Sequence, residues 1–80
     1  MNCVRQFPVV ENLAREFGGR MRFVMVRTTE DDGTLEAFGV SRYPAYIVFR
    51  DGREVDRLTL EFAPWLIEER LRRMIEGALR

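Results

Sequence analysis

Hydrophobic positions recur along this chain with two different periods. Val4, Phe7, Val10, Leu13, Ala14 and Phe17 follow three- and four-residue spacing, which predicts one apolar face of an amphipathic helix. Asn2 ahead of them suits an N-cap. Gly18-Gly19 predicts the stop, through a glycine in the left-handed conformation after the last turn. Pro8 falls inside this helix. It has no amide to give to the Val4 carbonyl and is expected to bend the helix there. From Met21 to Thr28 the rhythm changes. Phe23-Val24-Met25-Val26 is apolar on both faces, the pattern of a strand covered by helices on either side.

The polar stretch TTEDDGTLEAFG leads into a short predicted helix, with Leu35 and Phe38 inward and Gly39 as its end. Ala45 to Phe49 and Glu54 to Leu60 then read as strands. Asp51-Gly52 between them suits a two-residue type I′ hairpin turn, in which both central residues need a positive φ. Pro44 stands just before the first of these strands, where a missing amide does least harm. A last helix opens at Pro64, a residue suited to a first helical position. Trp65, Leu66, Ile67, Leu71, Met74, Ile75 and Leu79 form its expected inward stripe, and Glu68, Glu69, Arg70, Arg72 and Arg73 its wet side. The aromatic residues Phe17, Phe23, Phe38, Phe49 and Trp65 are expected in the core.

Eighty residues, 46% hydrophobic and 32% charged, fit one small globular domain over residues 1–80 with a modest core. The 13 basic residues are all arginine and balance 13 acidic ones. Phosphate binding without sequence preference needs a positive excess, so nucleic acid is not an expected partner. The absence of histidine removes Ser-His and Cys-His catalysis and histidine metal sites. No cofactor or metal is expected. Glu30-Asp31-Asp32 reads as a solvated loop before a helix, and the arginines from Arg70 to Arg73 as a salt-bridged surface. No apolar run approaches the ~18 residues of a membrane span. No signal peptide is visible, and the expected compartment is the cytoplasm.

The chain has one cysteine, Cys3. The stretch CVRQFPVVENLAREFGG, with Pro8 five residues after Cys3, resembles the thioredoxin family from the second cysteine of its Cys-x-x-Cys motif onward. FGVSRYPAYIVFRDGREV resembles that family's cis-proline loop and hairpin, with Pro44 in the cis-proline place. The likeness runs from Cys3 to about Val55 and more loosely through the final helix. It implies an α/β, incomplete thioredoxin-like fold in the order helix, strand, helix, strand, strand, helix. Its sheet would be three-stranded and mixed, without the family's first two strands and first helix. Met25 stands where the family often has a buried lysine, and the glycine usual after the hairpin is not evident near Leu60. The family's first cysteine would stand one residue before Met1, so Met1 reads as an internal methionine of a longer protein with a Cys-Met-Asn-Cys motif.

The resemblance implies thiol–disulfide oxidoreductase chemistry, with protein disulfides or a thiol reductant as partners. An exposed thiolate attacks a substrate disulfide and a second thiol resolves the mixed disulfide. Cys3 takes the resolving position and cannot complete that cycle alone. At a first helical turn it would gain some thiolate character from the helix dipole; the other reading is an inert residue at a frayed start. The resemblance gives Tyr43 the role of offering backbone hydrogen bonds to an extended substrate and of shaping the groove with its side chain, beside Pro44 in the cis-proline place, with Pro8 setting the helix kink. The alternative is a non-catalytic binding module or a dimerising subunit. In the family a central strand separates the two predicted here at 21–28 and 45–50. Without it the two would pair directly, or a homodimer would form through the exposed sheet edges, or a strand-wide slot would remain. The slot is the expected arrangement, and the dimer the next.

Overall fold

The computed structural model describes residues 7–27 and 32–80. It is an α/β structure of three helices and a hairpin: α1 (Phe7–Phe17), α2 (Thr34–Ala37), β1 (Ala45–Arg50), β2 (Arg53–Thr59) and α3 (Pro64–Ala78). Helices α1 and α3 pack on each other, and α3 also lies against both strands. The core forms where they meet, from Leu13 and Phe17 of α1, Val48 and Leu58 of the hairpin, and Ile67, Leu71, Met74 and Ile75 of α3. Leu13 and Ile67 are fully enclosed. Burial on that scale stabilises by about 2–3 kcal/mol per side chain.

Helix α1 stops at Gly18 for a reason other than the expected one. Neither Gly18 nor Gly19 has a positive φ. Instead the Phe17 carbonyl accepts from the amides of both Arg20 and Met21, at 2.8 and 2.9 Å. A Cβ on Gly18 would lie 2.5 Å from the Ala14 carbonyl oxygen, so the close approach of backbone selects glycine there. Helix α3 begins with Pro64 in its first turn and no side-chain cap from Ala63. The Glu61 carboxylate accepts from the Phe62 and Ala63 amides ahead of it, at 3.0 and 3.2 Å.

The hairpin follows the sequence closely. Asp51 and Gly52 have φ of 54° and 80°, the two positive values that a type I′ turn needs. The antiparallel register runs from Ala45↔Thr59 to Arg50↔Arg53, with a bulge that leaves Val55 extra between Val48↔Asp56 and Phe49↔Glu54.

Two expectations fail. Among the described residues the sheet has two strands, not three. Among the described residues, 22–27 pair with no strand. A strand is defined by its ladder, and no described strand lies alongside this segment to complete one. It keeps a strand's alternation only at its start, with Met21 and Phe23 packed on the core, while Val24, Met25 and Val26 are exposed. Among the described residues this segment does not pair with β1. A cleft of about 510 Å³ opens between residues 20–22 and the Phe49–Arg50 end of β1.

The aromatic core is the second correction. Only Phe17 is buried, and Phe23 partly. Phe38 and Phe49 are 44% and 40% exposed and meet each other edge to face at 5.3 Å. Trp65 is 76% exposed. Successive helix residues are about 100° apart, so Trp65 points about 160° away from Ile67.

Candidate functional site

The loop between α2 and β1 carries Tyr43 and Pro44. Pro44 is buried and Tyr43 is exposed. The peptide bond between them is cis. The Pro44 carbonyl accepts from the Leu60 amide at 2.9 Å, which ties the loop to the residue that follows β2. Leu60 does this at φ 61°, a left-handed conformation that a bulky residue rarely takes. Among the described residues, the Tyr43 backbone takes part in no hydrogen bond. Its N–H and C=O therefore stand beside an exposed phenol ring with no described residue to satisfy them.

The other end of the loop is held by Arg57. Its guanidinium donates to the Phe38 carbonyl at 2.6 Å and the Gly39 carbonyl at 3.2 Å. The same group holds both carboxylate oxygens of Glu54, at 2.8 and 2.7 Å. Two residues three apart in a strand ordinarily face opposite sides. The bulge at Val55 inserts one extra residue between them and resets the alternation, so Glu54 and Arg57 meet. The hydrogen bond from Arg57 holds the Glu54 carboxyl below its usual range, and the same bond raises Arg57 above its own. The Val40 amide donates to the Leu35 carbonyl at 2.7 Å, and Gly39 turns the chain at φ 69°. The chain between α2 and β1 is thus fastened at residues 38–40 and again at Pro44.

The other sequence candidates are placed differently. Cys3 lies outside the described residues, as does Val4, whose carbonyl Pro8 was expected to leave without a donor. Pro8 is exposed and is the second residue of α1. Asp32 accepts from the Thr34 hydroxyl at 2.5 Å, and that bond lowers its pKa. No group of potential metal ligands occurs among the described residues. No described helix is long and apolar enough to cross a membrane. On α3, Arg72 pairs with Glu16 of α1 and with Glu68, and Arg73 with Glu69, so this face is salt-bridged. Sequence reasoning missed the two residues that fix the loop. Leu60 gives no local sign of a left-handed backbone, and the pairing of Arg57 with Glu54 depends on a bulge that no turn residue marks.

Residues 2–66 match the family model described as "Hydrogenase-1 expression protein HyaE". Among curated proteins, thioredoxin of Staphylococcus saprophyticus is 34% identical over 77 residues, 96% of this chain and 70% of that protein. Chloroplastic thioredoxin M4 of Arabidopsis thaliana is 30% identical over 56 residues, 70% of this chain and 29% of that protein. Thioredoxin 1 of Synechococcus elongatus is 30% identical over 54 residues, 68% of this chain and 50% of that protein. The chain thus spans half or less of the length of several curated relatives that it matches. No solved structure matches it. With a family match over most of its length and a thioredoxin relative aligned almost end to end, the chain belongs to the thioredoxin family, within the HyaE hydrogenase-expression group.

Proposed function

We propose that this chain is a non-catalytic thioredoxin-fold binding module that serves hydrogenase expression by holding an extended segment of a client polypeptide at the Tyr43–Pro44 loop. The observation that carries the reading is the Tyr43 backbone, which no described residue satisfies, beside an exposed ring on a loop fastened at both ends. An extended peptide recognised by main-chain hydrogen bonds needs such an edge. The family description supplies the process in which the module acts. We place it in the cytoplasm.

Thiol–disulfide exchange is the competing reading, and the thioredoxin relatives favour it. Dithiol exchange uses two thiols, and Cys3, the one cysteine of these 80 residues, takes the position that the resemblance gives to the resolving thiol. Under the binding reading Cys3 is dispensable and Tyr43 is not. The test is complementation in a strain that lacks the gene. Hydrogenase activity should fall with the deletion and return with Cys3→Ser, but not with Tyr43→Asp expressed at the same soluble level. Failure of Cys3→Ser to restore activity would transfer the role to the thiol.

A further inference from the structure

Leu60 stands in a backbone conformation that its residue type disfavours. Among the described residues, the other positive-φ positions are Gly33, Gly39, Gly52 and Asp51. Three of these are glycine, and Asp51 sits in the hairpin turn, where such a residue is usual. Leu60, at φ 61°, is the bulky apolar exception. In this conformation a Cβ lies close to the following carbonyl oxygen. Glycine avoids that contact, and asparagine is among the side chains that tolerate it best.

The conformation is tied to the candidate site. The Leu60 amide donates to the Pro44 carbonyl at 2.9 Å, so Leu60 sits across from the residue that follows Tyr43. Both the bond and the φ belong to residues 44 and 60 themselves. The turn that follows is held separately, by the Glu61 carboxylate, which accepts from the Phe62 and Ala63 amides at 3.0 and 3.2 Å. The backbone that presents Leu60 is thus fixed on both sides. Its side chain is exposed and takes no part in the core. Core packing therefore does not account for a leucine at a position suited to glycine. Strain that the core does not repay marks a position kept for function.

We propose that Leu60 sets the selectivity of the Tyr43–Pro44 loop, by favouring an aliphatic side chain in the client next to the residue that bonds to the Tyr43 backbone. The inference rests on the binding function proposed above and names its class of client, an extended segment in which aliphatic residues alternate with polar ones. Successive side chains of an extended segment turn to opposite faces. One face would pack on the Leu60 side chain while the main chain bonds at Tyr43, and the other would stay in water. A polar side chain against Leu60 would give up water without gaining a hydrogen-bond partner.

The test is fluorescence anisotropy on the full chain with two fluorescein-labelled peptides, one alternating threonine with leucine and the other threonine with asparagine. The parent should bind the leucine peptide about tenfold more tightly. Leu60→Asn keeps the size of the side chain and suits the left-handed backbone, but is polar. It and Leu60→Gly should bring the ratio of the two affinities close to one, with circular dichroism unchanged. Leu60→Met, apolar and of similar volume, should keep the preference. No saturable binding of the leucine peptide, equal binding of both peptides by the parent, or a preference that survives in Leu60→Gly and Leu60→Asn would each overturn the proposal. Complementation judges the Tyr43 reading separately. Tyr43→Asp failing to restore hydrogenase activity while Leu60→Asn restores it fully would overturn the role of Leu60 and leave that of Tyr43 in place. Restoration by Tyr43→Asp would remove the reading on which both rest.

Discussion

The Leu60 amide donates to the Pro44 carbonyl over 2.9 Å from a left-handed backbone, at φ 61°. Leu60 is 44% exposed, so packing compensates only part of the cost of that conformation. Such a position costs an ordinary residue on the order of 1 kcal/mol. At ordinary exposed sites alanine is more stabilising than glycine. Here the order should reverse. Leu60→Ala and Leu60→Gly remove nearly the same side-chain contacts, and the glycine variant should be the more stable of the two by about 1 kcal/mol. Urea unfolding midpoints of the two variants read this difference directly.

Acid sensitivity should be traceable to Glu54. Its carboxyl is held below its ordinary value of 4.5 by the hydrogen bond from Arg57. The folded state then binds fewer protons than the unfolded state near and below that pH. Glu54's contribution is fully present above pH 4.5 and is lost as the pH falls through the lowered folded value. Glu54→Gln should flatten the acid limb of a plot of stability against pH and leave the neutral limb parallel to the parent. Arg57→Lys keeps the charge but not the planar fork that reaches Glu54, Phe38 and Gly39 together. It should lower the thermal midpoint at neutral pH, and an unchanged midpoint would show that the loop needs no such fastening.

Much of this structure is local information and could be read from the chain. Asp51-Gly52 specifies its own turn. The stripes Leu13–Phe17 and Ile67–Leu71–Met74–Ile75 specify two helix faces that cover each other. What could not be read depends on neighbours. Residues 21–28 have a strand's composition, but no described strand lies alongside to complete a ladder. Trp65 is apolar and helical, yet its angular position turns it from the core. Leu60 and Arg57 fix the candidate loop through a positive φ and a bulge, neither of which their residue types announce. The thioredoxin likeness was legible in the spacing of Cys3, Pro8 and Pro44; the hydrogenase-expression branch of the family was not.

The contrast between the enclosed and exposed apolar residues gives a stability test. Leu13 has 0% exposure and sits between α1 and α3. Leu13→Ala should cost about 3 kcal/mol, a large share of the ~5–15 kcal/mol of a small domain. Trp65→Ala should cost less than about 0.5 kcal/mol. The fluorescence of Trp65, the sole tryptophan, should be that of a hydrated indole and should shift little on unfolding. A blue-shifted spectrum in the folded chain would place Trp65 in contact with apolar groups.

If the proposed binding role holds, this chain does not catalyse thiol exchange, and the reduction of insulin disulfides by dithiothreitol separates the two readings. Turbidity from the released insulin chain should develop at the same rate with and without the purified 80-residue protein. A catalysed rate that disappears in Cys3→Ser would contradict the account.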